Sequence, residues 1–211
     1  MSKVILGASH FDSRAREWDS NPLFIERARR IADAIRRSVP LSRNMQALDY
    51  GCGTGLQSFE LKDELGHITL YDNSAGMLEV LNEKILAQGV SNMSVRQVNL
   101  SADALPMERY DLIYTSMALH HIPDTSAIMR SFHVLLNAGG YLCVADLDQE
   151  DGSFHGPEVD VHRGFDRAEL AATAEQAGFG KPRFETVFEI TKESESGTRT
   201  FPVFLMFAQK A

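Results

Sequence analysis

The chain is poor in cysteine, with only Cys52 and Cys143, and it has a single tryptophan, Trp18. Two cysteines cannot supply a disulfide framework, so a reducing compartment suits it. Basic residues are also in deficit: 21 Lys and Arg against 29 Asp and Glu leave a formal charge of −8. A protein that neutralises many phosphates is usually basic, so nucleic acid is excluded as an expected partner, and an anionic membrane surface with it. Long apolar runs are missing. The longest, around Phe201 to Ala208, is far below the roughly 20 residues of a membrane span, and Val4 to Ala8 is too short for a signal-peptide core. These absences predict a cytoplasmic protein. Hydrophobic residues make up 44% and charged residues 24% of the 211 residues, so the chain can bury a full core and needs no staples.

Apolar periodicity then orders the elements. Pro22 can open a helix, and Phe24, Ala28, Ile31, Ile35 and Val39 recur at spacings of three and four up to Pro40, the pattern of an amphipathic helix. Its arginines, Arg27, Arg29, Arg30, Arg36 and Arg37, read as a solvated face in an acidic chain. From Met45 onward strands and helices alternate. Short apolar strands are predicted at 45–50, 67–71, 94–100, 110–116 and 141–147. Helices are predicted between them, one beginning at Ser74 and closing at Gly89, and another ended by Gly139 and Gly140. A capping-box-like start at Asp166 and Glu169 opens a last helix, and segments 183–191 and 199–209 read as a hairpin joined by a turn at 194–197. Such alternation demands an α/β fold with a mostly parallel sheet, because parallel strands need helical crossovers. Ligands bind such sheets beyond the carboxyl ends of the strands.

The first strand runs into LDYGCGTG, residues 48–55. Gly51, Gly53 and Gly55 let the backbone turn sharply and approach a ligand closely. The dinucleotide fingerprint is G-x-G-x-x-G, and Leu56 stands where its third glycine falls, which disfavours a nicotinamide cofactor. A second acid, Asp72, ends the next strand. With Asp49 before the glycines, two carboxylates flank the turn; a carboxylate suits a ribose diol.

The run LDYGCGTG, then Asp72 in TLYDNS, ADALP at 102–106, YDLIYTSMALHHIPD at 110–124 and LLNAGGYL at 135–142 resembles the class I methyltransferases that use S-adenosylmethionine (AdoMet). The resemblance covers roughly residues 45–210. It implies a Rossmann-like, seven-stranded, mostly parallel sheet with a C-terminal antiparallel hairpin, AdoMet as cofactor, and a small-molecule methyl acceptor. Residues 1–40 then form an N-terminal helical lid segment on a domain spanning 41–211, with Trp18 in FDSRAREWD closing over the ligand. Gly51, Gly53 and Gly55 would pass beneath the methionine and ribose, Asp49 would support that loop, Asp72 would hold the ribose hydroxyls, and Asn73 would stand beside the adenine. The acid usual after the third strand is absent, leaving Asn99, Ser101 or Asp103 for the adenine. Ser116 or Met117 would face the sulfur.

Histidine is the natural proton acceptor near neutral pH. His120 and His121 follow the fourth strand at the correct rim. Neighbouring side chains on a turn point apart, so at most one of the two is expected to face the cleft. The long connection 146–165 carries Asp146, His155 and His162, which could contact the acceptor or serve as base. The spacing of these three matches no established metal site, and no metal is expected. An alternative assignment is a catalytically silent AdoMet-binding or sensor protein. No side-chain pattern names the acceptor atom or an oligomeric state.

Overall fold

The computed structural model describes residues 7–156, 158–194 and 197–211. Most of the short run at Val4 to Ala8 and the middle of the turn at 194–197 lie outside the described residues. Three helices come first: α1 (Ala8–Asp12), α2 (Ala15–Trp18) and α3 (Pro22–Ser38). Asn21 caps α3 by accepting from the Leu23 amide, and Pro22 fills the first turn, where a missing N–H costs nothing.

The alternating part runs β1 (Gln46–Tyr50), α4 (Leu56–Leu61), β2 (His67–Asp72), α5 (Ala75–Ala87), β3 (Met93–Gln97) and β4 (Tyr110–Ser116). A 3₁₀ turn (Leu119–His121) leads to α6 (Thr125–Leu135) and β5 (Leu136–Leu147), and α7 (Arg167–Gln176) precedes β6 (Arg183–Ser194) and β7 (Gly197–Gln209). The seven strands form one sheet in the order β3-β2-β1-β4-β5-β7-β6. Only β7 runs antiparallel to its neighbours. The order reverses between β1 and β4, which opens a crevice at the carboxyl ends of those strands.

Alternate residues of the central strands feed two cores. Leu112, Tyr114, Cys143 and Ala145 pack with Ile31, Ile35 and Leu81 on the side of α3, α4 and α5. Ile113, Leu142 and Val144 pack with Met129, Phe132 and Phe204 on the side of α6 and α7. Both faces are covered, as a parallel sheet requires.

Two boundaries differ from the periodicity reading. The strand expected to begin at Tyr141 begins at Leu136, and the Gly139–Gly140 pair lies inside it. The ladder with β4 breaks between Tyr110↔Leu136 and Leu112↔Tyr141, so the glycines form a bulge in the strand and do not end the helix. The third strand stops at Gln97; beyond it Val98 donates to the Asp72 carbonyl, and Asn99 opens a turn closed by Asp103.

Candidate active site

A cleft lies at the reversal point, between the ends of β1, β2 and β4 and the N-terminal helices. Its cavity is about 240 Å³ with the helices docked. The turn after β1 is held by its own backbone: the Gly51 and Cys52 amides both donate to the Tyr71 carbonyl. Gly51 has φ +70°, and a Cβ there would meet the Ala118 Cβ at 2.5 Å. Gly53 has φ +53°, with nothing nearer than the Met77 sulfur at 4.0 Å, so its bare face lies open.

Asp72 fastens this turn. Its carboxylate accepts the Gly53 amide at 2.8 Å and the Ser74 amide at 2.9 Å. Burial raises its pKa, against the pull of those donors. A carboxylate has about four lone-pair sites, which leaves capacity for a hydroxyl of a ligand. Asp49 lies deeper, almost fully buried, where Ser58 donates to it at 2.6 Å and shares its hydroxyl with Tyr114. Burial pushes the Asp49 carboxyl up to about 7. The same desolvation holds the Cys52 thiol well above its usual range and protonated.

The structure brings most of the sequence-predicted residues to this cleft. Asn73, Asn99, Ser101, Ser116 and Met117 line it, as do Gly51, Gly53, Asp49 and Asp72; Gly55 does not, because its open face packs against Leu81 and Phe59. Asp103 does not; its carboxylate accepts the Asn99 amide at 2.8 Å and closes the turn instead. Met117 has φ +54°, alone among the described non-glycine residues in the left-handed region. A bulky side chain in that conformation is a strained placement of the kind that clusters at ligand sites.

The N-terminal helices roof the cleft. Trp18 lines it, edge-on to Phe11 at 6.2 Å and tilted against Phe24 at 4.7 Å. Asp12 fixes α1 to the start of α5 by accepting the Ser74 hydroxyl and the Gly76 amide. Asp19 fixes the end of α2 by accepting the Thr54 hydroxyl and pairing with Lys84.

Two side chains that sequence reasoning passed over also point here. Arg27, expected on a solvated face, turns inward to line the cleft, with its guanidinium over the Phe24 ring at 4.9 Å and no ion-pair partner among the described residues. Desolvation pushes its pKa down to about 10, against the attraction of Asp146. Gln57 is buried, lines the same cleft, and neither its amide nitrogen nor its oxygen has a partner. The helical pattern contained a hint for Arg27, which follows the buried-face positions Phe24 and precedes Ala28; nothing in the sequence distinguished Gln57.

The histidines separate. His121 lines the cleft, and its Nδ1 is buried without a partner. His120 lies one layer behind, with Nδ1 2.7 Å from the Asp146 carboxylate and Nε2 3.1 Å from Nε2 of His155. Asp146 is fully buried, yet His120 and two backbone amides outweigh desolvation and hold its pKa below the usual range. Burial lowers His121 to about 3 and His155 to about 4, so both rings are neutral at neutral pH. His162 stands outside the cleft. Its Nε2 lies 2.9 Å from the Ile122 carbonyl and its amide donates to the His120 carbonyl, so the ring is occupied in holding the 3₁₀ turn.

Comparison with known proteins agrees with this architecture. The family profile described as a methyltransferase domain matches residues 41–191. An uncharacterized methyltransferase of Schizosaccharomyces pombe is 34% identical over 53% of this chain and 42% of its own length. Methyltransferase tpcH of Aspergillus fumigatus is 28% identical over 69% of this chain and 61% of its own. The ubiquinone/menaquinone biosynthesis C-methyltransferase UbiE of Xanthomonas oryzae is 30% identical over 56% and 48%. The matched regions thus span 42–61% of these relatives' lengths. Among solved structures, a putative methyltransferase from Bacillus halodurans superposes with a TM-score of 0.72 at 16% identity, covering 85% of this chain and 98% of that one. A phosphoethanolamine N-methyltransferase of Haemonchus contortus, in complex with phosphomonomethylethanolamine and S-adenosylhomocysteine, reaches 0.71 at 16% identity, over 85% of this chain and 52% of that one. The profile covers most of the chain, and the chain belongs to the class I S-adenosylmethionine-dependent methyltransferase family.

Proposed function

We propose that this chain transfers a methyl group from AdoMet to a small-molecule acceptor held beneath the N-terminal helices. The observation that carries the reading is the convergence on one cleft of the open Gly53 backbone, the Asp72 carboxylate, the half-buried Arg27 guanidinium without an ion-pair partner among the described residues, and the buried Gln57 amide without a partner. AdoMet supplies an electrophilic methyl on a sulfonium, a group that reacts by in-line displacement. The residues divide its binding. Asp72 takes the ribose hydroxyls, and Asn73, Asn99 and Ser101 face the adenine. Arg27 and the Gln57 amide take the carboxylate and ammonium of the methionine end, and Ser116 and the strained Met117 border the sulfur.

The acceptor occupies the side of the cleft walled by Phe11, Trp18, Phe24 and His121. An aromatic roof closed by Asp12 and Asp19 favours a compact acceptor and keeps water out. A dry cleft favours a reaction in which charge on sulfur is dispersed, and holding the nucleophile in line contributes on the order of 7–11 kcal/mol. His121 faces the acceptor as a neutral ring, able to accept a hydrogen bond from it. His120, pinned by Asp146, positions His121, and His162 positions the 3₁₀ turn. Among the described residues no helix is long and apolar enough to cross a membrane, in keeping with a small-molecule acceptor taken from water.

Titration of AdoMet into the wild type, Asp72→Ala and Asp72→Asn tests the site. We expect the alanine variant to bind at least tenfold more weakly, with the asparagine variant between the two. Unchanged affinity in Asp72→Ala contradicts the ribose assignment. Release of S-adenosylhomocysteine when small acceptors are screened distinguishes the transferase from a silent AdoMet-binding protein.

A further inference from the structure

At the cleft wall, three imidazoles from two distant segments meet. One ring nitrogen each of His120, His121 and His155 lies within 4.8 Å of the other two. The ring centroids are 4.1 Å apart for His120 and His121, 5.0 Å for His120 and His155, and 5.4 Å for His121 and His155.

We propose that His120, His121 and His155 form a binding site for one divalent transition-metal ion of the zinc class, with Asp146 as the carboxylate that orients His120. The hydrogen-bond inventory carries this. The His120 Nδ1–H donates to Asp146 at 2.7 Å, which leaves Nε2 with a bare lone pair. That nitrogen faces Nε2 of His155 at 3.1 Å. A histidine-to-histidine hydrogen bond satisfies this one pair and leaves the buried Nδ1 of His121 with nothing. A shared cation uses converging lone pairs that hydrogen bonding cannot all satisfy. Two nitrogens on a tetrahedral zinc, with bonds of about 2.05 Å, stand about 3.3 Å apart, close to the 3.1 Å between His120 and His155; a rotation of the His121 ring brings in the third. The support behind His120 has the form that metal-bound histidines take, in which the second ring nitrogen donates to a carboxylate. Asp146 is itself fixed by the Leu147 and His120 amides.

The third ligand is also held in place. His155 packs edge-on against Phe154, which packs on Phe201, and the Lys192 ammonium donates to the Phe154 carbonyl at 2.6 Å. Three protein nitrogens leave a fourth position for water or an acceptor oxygen. The proposal does not rest on methyl transfer.

Chelator-dialysed protein without a histidine tag, titrated calorimetrically with zinc chloride, tests it. We expect one equivalent to bind. His155→Ala should weaken binding at least tenfold, and Asp146→Asn by roughly 10- to 100-fold. His67→Ala, whose ring pairs with Ser94 on the far sheet edge, should leave it unchanged. Cobalt(II) should give the visible bands of a four-coordinate site in the wild type and lose them in His155→Ala. No stoichiometric zinc, or equal weakening by His67→Ala, overturns the proposal. AdoMet titrated into the same samples reports the fold of each variant. Loss of AdoMet binding with zinc retained in the wild type would count against the transferase reading alone.

Discussion

Asp19 and Lys84 meet at 2.6 Å, joining the end of α2 to α5 across the mouth of the cleft. The other oxygen of Asp19 takes the Thr54 hydroxyl, and Lys84 donates to the Thr54 carbonyl at 2.8 Å. The roof is therefore tied to the glycine turn itself, so closing one fixes the other. Removing the carboxylate should loosen both. The pair is about a quarter exposed, and hydrogen bonds to charged groups contribute about 1.5–3 kcal/mol. Asp19→Ala should weaken AdoMet binding by about tenfold, which is about 1.4 kcal/mol. In a double-mutant cycle with Lys84→Met the two losses should not add; full additivity means that the latch is not coupled to the cofactor.

The proposed contact of Arg27 with the methionine carboxylate separates the two ends of AdoMet. Arg27→Met keeps much of the side-chain volume and removes the charge. We expect it to weaken AdoMet at least tenfold while leaving the affinity for decarboxylated AdoMet unchanged. Equal losses for both ligands would show that Arg27 acts through packing and not on the carboxylate.

Gly51 and Gly53 should fail in different ways. Alanine at position 51 drives a methyl into Ala118 at 2.5 Å, and its main effect should be a lowered melting temperature. Alanine at position 53 meets no protein atom closer than 4.0 Å. Its backbone cost is about 1 kcal/mol, and its main effect should be lost AdoMet affinity. Thermal melting and calorimetry on both variants check the contrast.

Asp49 sets a pH dependence. Its carboxyl is raised to about 7 in the folded chain and falls near 4 when unfolded. Between those values the unfolded chain binds fewer protons, so stability decreases as pH rises from about 4 to about 7, then levels. Three pH units of such a shift correspond to roughly 4 kcal/mol. Asp49→Asn should flatten this part of the profile. Denaturant titrations of both proteins across the window measure the difference, and parallel profiles would remove Asp49 as its source.

Much of the architecture was legible because it is local. Period-2 and period-3.6 patterns, Pro22, the cap at Ser74 and the glycines of the first turn each act within a few residues, and together they required a parallel sheet with its ligand at the end of β1. The boundary at Leu136 was misread because Gly139 and Gly140 signal a helix stop and a strand bulge equally, and only pairing with β4 decides between them. Asp103 was a reasonable adenine contact until the turn at Asn99 took up its carboxylate.

The sequence by itself determined the fold, the family and the glycine turn between Asp49 and Asp72, since these follow from residue order and short-range stereochemistry. The tertiary structure alone decided that Arg27 turns inward, that His121 and not His162 faces the cleft, and that His155 comes back to His120 from 35 residues away. These are consequences of loop closure and burial, which depend on where whole elements dock and leave no periodic trace in the chain.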